Sequence, residues 1–200
     1  MNKPKGFDDI QLGTVLNAGG HKCVIKEVQE TQSKSGKDML IILFDTSEED
    51  TQPNFYTNQF LADTEKPDRE AVWRGKQYLV TEGEYGPSNL KWFTTAVEDS
   101  NPGFEVKWGK AFANCFKNQK VGIVFRLEDY TASSGELRTA VKPFRFCSYD
   151  KAPEQAVPKR KELPETQTQQ SLFDQFQNMA QEGFMQVPDN LDDTEGLPFK

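Results

Sequence analysis

The sequence predicts a mainly β protein: an OB-fold-like antiparallel barrel with one or two short helices, followed by a disordered acidic C-terminal tail. Three observations carry this. Before residue 150, apolar runs of strand length alternate with turns rich in Gly, Ser and Asn. One helical period interrupts them mid-chain. After Tyr149 the chain turns to prolines, glutamines and acids with no apolar period.

Residues 21–30, HKCVIKEVQE, interleave β-branched residues with charges. TQSKSGKD is a turn cluster around Gly36, and MLIILF (39–44) is a continuous apolar run. Strand, polar turn and buried strand read as a β-hairpin. NFYTNQF (54–60) and KQYLVTE (76–82) are shorter strand candidates, separated by a polar stretch broken at Pro67. GPSNLKWFTTAVEDSNPG predicts a helix. Ser88 or Asn89 caps it, Leu90, Phe93 and Val97 share a face, and Asn101-Pro102-Gly103 stops it. KAFANCFK (110–117) has room for a second short helix, with Phe112 and Phe116 one turn apart. Two strands close the set, KVGIVFRLEDY (120–130) and ELRTAVKPFRFCSY (136–149), joined through TASSGE. On the first of them Val121, Ile123, Phe125 and Leu127 fall on one face. Hairpins around one interposed helix suit a small barrel.

Apolar residues make up 36% of the 200 and lie mostly before residue 150, so one core is expected. The organisation is then a domain over 1–150, a disordered linker over 151–188 and an acidic tip over 189–200. Net charge is −7, and through residue 150 there are 19 Lys and Arg against 22 Asp and Glu. A generic polycationic nucleic-acid binder is excluded, so DNA binding needs a locally basic face. Cys23, Cys115 and Cys147 are odd in number and widely spaced, and His21 is the one histidine. They do not assemble a zinc site, and the spacing suits a reducing compartment. No secretory signal or membrane-spanning run is visible, so a cytoplasmic, soluble protein is expected without cofactor or metal.

The strand faces suggest a site. On 138–146 the alternating residues are Arg138, Ala140, Lys142, Phe144 and Phe146. Lys120, Arg126 and Tyr130 lie opposite the apolar face of 120–130, and Arg74, Lys76 and Tyr78 repeat the pattern. Cations interleaved with rings suit a single strand of nucleic acid: the cation meets phosphate, and the ring stacks on a base at ~1–3 kcal/mol per base. Taken singly, each ring is more often core. Repetition over three strands favours binding for the set.

The chain closes DNLDDTEGLPFK, with Asp189, Asp192, Asp193 and Glu195 ahead of Leu197, Pro198 and Phe199. From Glu165 to Phe199 there is no Lys or Arg. This arrangement resembles the C-terminal tail of bacterial single-stranded DNA-binding proteins, whose linker delivers an acidic Pro-Phe tip to partner enzymes. One departure is Lys200, which displaces the terminal carboxylate from Phe199. SKSGKDMLIILFD, LKWFTTAVEDSNPGF, KVGIVFRLEDY and GELRTAVKPFRFCSYDK resemble a phage and mobile-element family of single-stranded DNA-binding proteins from Gram-positive hosts. The resemblance covers most of 20–151. It implies single-strand binding in replication or recombination, with replication or recombination proteins held by the tip.

Rival readings are a strand-annealing or recombination-accessory protein and an OB-like protein-interaction module that does not touch DNA. A nuclease reading rests only on Asp99, Glu105 and Lys107, an Asp…Glu-x-Lys pattern with short spacing and frequent chance occurrence. No catalytic triad or phosphate-cradling loop accompanies it, so an enzyme is not expected. The sequence leaves oligomeric state open, a homo-oligomer included.

Overall fold

The structure, a computed structural model, describes residues 15–66, 68 and 70–163. Its centre is a five-stranded antiparallel sheet in the order β3-β2-β1-β4-β5. The strands are β1 (Gly19–Gln32), β2 (Asp38–Thr46), β3 (Lys76–Val80), β4 (Lys120–Thr131) and β5 (Leu137–Cys147). The helices are α1 (Phe55–Thr64), α2 (Gly86–Ser100) and α3 (Phe112–Cys115). The protein is therefore mainly β with short helices. The sheet does not close into the predicted barrel, because β3 and β5 form no ladder among the described residues. β3 is only five residues long, and α2 packs against both β3 and β5.

β1 belongs to two ladders. Its first half pairs with β4, from Gly19 opposite Phe125 to Val24 opposite Lys120. From Cys23, opposite Thr46, to Gln32, opposite Asp38, it pairs with β2, and a register shift between Ile25 and Glu27 lets it bend. The run MLIILF splits by period two. Leu40, Ile42 and Phe44 are buried, while Met39, Ile41 and Leu43 are half-buried on the other face. The core joins these to Cys23, Ile25, Val121, Ile123 and Phe125. Phe93 of α2 completes it, with ring centroids 4.9 Å from both Phe116 and Phe146. Leu127 shares the predicted face but is exposed, because it lies past Phe125, the last β4 residue that β1 reaches.

Residues 54–60 are not a strand: they enter α1. The helix start is capped from the end of β2. Asp45 Oδ1 accepts the Tyr56 amide at 2.8 Å and Oδ2 the Thr57 amide at 3.1 Å. Thr46 Oγ1 accepts the Phe55 amide at 2.9 Å. These are orphan donors that a helix must place somewhere. The cap of α2 also differs from expectation, since the helix starts at Gly86 with Pro87 in its first turn rather than at Ser88 or Asn89.

The compact unit runs to Lys161, so residues 151–161 belong to the domain and not to the linker expected from 151. Ala152 is fully buried, and its backbone lies so close to Gly20 that a Cβ on Gly20 would run into the Ala152 carbonyl. Beyond Phe125 the edge of β4 is left open by β1, and Lys161 fills it. Lys161 N donates to Leu127 O, and Asp129 N to Lys161 O, each at 2.9 Å. Arg160 grips both oxygens of Asp129 at 2.6–3.0 Å. The guanidinium, and then the Thr139 hydroxyl, hold the Asp129 carboxyl below its usual range. The linker from residue 164 on and the whole tip, including Asp189, Asp192, Asp193, Glu195, Leu197, Pro198 and Phe199, lie outside the described residues.

Asp50 ties the loop after β2 to the start of β1. Its carboxylate accepts from Lys22 N at 2.8 Å, Gln52 N at 2.9 Å and His21 Nδ1 at 2.9 Å. Burial pushes this carboxyl up, but the His21 and backbone hydrogen bonds outweigh it, so it ionises below the usual range. A lowered folded value stabilises above the unfolded carboxylate value of ~3.9, and that stability is lost as pH falls through the folded one. Asp50→Asn should therefore cost about 1–3 kcal/mol at neutral pH in urea unfolding. The gap from wild type should narrow below about pH 4. A gap that stays constant to pH 2 would mean that the Asp50 charge is not what matters.

Candidate nucleic-acid interface

The β4–β5 hairpin carries most of the predicted binding residues. Arg126 stands opposite Lys142, and Tyr130 opposite Arg138. The Arg126 guanidinium lies over the Phe144 ring at 4.2 Å, and Lys142 Nζ lies 5.5 Å from the Tyr130 centroid. So the rings and cations of 126, 130, 142 and 144 do come together. Their charges, however, are paired. Arg126 meets Glu128 at 2.7 Å, Lys142 reaches the same carboxylate at 3.9 Å, and Arg138 meets Glu136 at 2.7 Å.

Phe146 is not on this face. It is 6% exposed and packs on Phe93 in the core. The ladder slips between Val124 and Phe125, where Pro143 opposes Phe125 and Arg145 opposes Val124. Phe144 is the extra residue, so strict alternation fails there and Phe146 falls opposite Ile123. Arg74 is likewise displaced. It precedes β3, and its guanidinium is held by the buried carboxylate of Asp63 in α1 at 2.6 Å. Lys76 and Tyr78 do lie on β3, with Lys76 Nζ 6.0 Å from the Tyr78 centroid.

The open seam between β3 and β5 forms a groove of about 760 Å³ beneath α2. Tyr78, Trp92 and Phe144 line it and are 55%, 70% and 39% exposed. Arg145 and Lys151 also line it. Among the described residues neither makes an ion pair, and Arg145 donates instead to the neutral amide of Gln155 at 2.9 Å. Gln77 Oε1 is buried at the groove without a hydrogen-bond partner. Burial pushes the Cys147 thiol, on the same lining, up to about 11.

Trp92, Arg145, Lys151 and Gln77 were not singled out from sequence. A charge signal was present: residues 101–150 hold eight Lys and Arg against five Asp and Glu, so the acid excess of the domain lies in its first hundred residues. Among the described residues no three His, Cys, Asp or Glu gather as metal ligands. No described helix is long and apolar enough to cross a membrane. No protein-family model matches the chain, and no curated protein matches it.

Proposed function

We propose that this chain binds single-stranded DNA with little sequence preference and acts in phage-type DNA replication or recombination. The observation that carries this reading is the seam: three exposed rings beside two cations that make no ion pair among the described residues, on an OB-like sheet with an excess of acid elsewhere. Rings stack only on unpaired bases, and cations supply the phosphate contact. Oligo-dT should therefore bind well above duplex of equal length. Trp92 and Trp108 are exposed enough for tryptophan quenching to report it. The logarithm of affinity should fall with that of salt at about −0.7 per phosphate neutralised. Equal affinity for duplex would sink the stacking basis.

The acidic residues 189–199 with Phe199 would recruit replication or recombination proteins. In a pull-down, Phe199→Ala should lose those partners, and a variant that keeps them all ends this part of the proposal. A protein-interaction module without DNA binding is favoured by one observation, the carboxylate partners of Arg74, Arg126, Arg138 and Lys142. A gel shift that unlabelled poly-dT fails to compete would support it.

A further inference from the structure

Resting on the single-strand reading, we propose that the groove between β3 and β5 beneath α2 receives one unstacked nucleobase. Tyr78, Trp92 and Phe144 would flank the base, and Arg145 and Lys151 would hold its adjoining phosphate. Four features point to this ligand. The groove's volume, about 760 Å³, falls in the roughly 300–1,000 Å³ range of sites that bury a small ligand. That is room for a nucleotide and too little for a duplex. Its rings are solvent-facing although each could have been spent on the core, and Trp92 is the most exposed of them.

Gln77 supplies the third feature. Among the described residues nothing donates to its buried Oε1, which costs stability unless a ligand completes it. Each of the four bases carries a ring N–H or exocyclic amine on its pairing edge, so one acceptor admits any base once the base is unpaired. The fourth feature is charge. Among the described residues the groove cations lack carboxylate partners, whereas the hairpin cations have them. Asp99 also lines the groove and would disfavour phosphate on its own side, leaving the β5 rim that carries Arg145 for the backbone.

The seam thus differs from the β4–β5 face in what it reads. The cations of the face are already met by carboxylates, while the groove would take both the base and its adjoining phosphate. The test compares oligo-dT with an abasic oligonucleotide of the same length, measured with the full chain. Wild type should prefer oligo-dT. Trp92→Ala and Tyr78→Ala should each weaken oligo-dT binding about 5- to 150-fold, the worth of one stacked base, and leave abasic binding unchanged. Both side chains are exposed, so melting temperature checks that the variants fold.

A second measurement uses the wild-type surface. Cys147 lines the groove, so at alkaline pH, where enough of its raised thiol ionises to react, oligo-dT should slow its alkylation while the abasic strand does not. If wild type prefers single strand to duplex yet both variants bind oligo-dT normally and Cys147 stays reactive, the groove proposal fails and the single-strand reading survives. If wild type binds neither oligonucleotide, the reading itself fails.

Discussion

Ile123→Asp is expected to abolish cooperative folding. Ile123 is fully buried, opposite His21 on β1 and Phe146 on β5. His21, directly opposite, has both ring nitrogens engaged, by Asp50 and by the Asn17 carbonyl, so it offers no free partner to a carboxylate at that point. Desolvating it costs several kcal/mol, on top of the lost burial of the isoleucine. The total is comparable with the whole ~5–15 kcal/mol that holds a domain together. The thermal transition seen by circular dichroism should vanish. Ile123→Val is the control, expected to cost about 0.5–1.5 kcal/mol and to keep the transition. An Ile123→Asp chain melting within a few degrees of wild type would mean that β4 is not in the register described.

The second large effect is expected at Gly20. A side chain there runs into the backbone of Ala152, which cannot swing aside as a flexible side-chain tip could. Gly20→Val should therefore peel residues 151–161 from the sheet. The loss should sit at the upper end of the ~0.5–3 kcal/mol range of point substitutions, read from urea unfolding. Limited proteolysis should newly cut between 150 and 161. A chain ending at 150 should show a similar loss, since it too leaves the β4 edge at 127–129 without its backbone partner. Equal stability of chains ending at 150 and at 163 would refute a role for this segment in the fold.

The sheet was legible where period two ran unbroken. Cys23, Ile25, Leu40, Ile42, Val121 and Ile123 all face the core, and Phe93 and Val97 of α2 meet them. What stayed hidden depends on residues distant in sequence. Residues 54–60 look like a strand because Asp45 and Thr46, which cap the helix, lie in a preceding strand. Phe146 is misplaced by a bulge one pair wide, for which Pro143 was the available hint, since proline in strands gathers at bulges and edges. The segment after 150 lacks an apolar period of its own. It is ordered by a notch at Gly20 and an open edge on β4, both belonging to other elements. For the candidate site, the hairpin cluster of rings and cations was legible. The carboxylates that neutralise its cations, and the seam where unpaired cations meet rings, were not.

The double membership of β1 has a consequence for biosynthesis. Its β2 partner follows after a short turn, but Ile123, the partner of His21, comes about a hundred residues later. A chain made at ~5–20 residues per second exposes the first hairpin, complete at Thr46, for about 4–15 seconds before β4 begins at Lys120. Through that interval Cys23 and Ile25 have no second layer to enter. The ribosome-bound chain therefore carries an uncovered apolar ribbon until β4 is made, and the core can shut only after Phe125 has emerged.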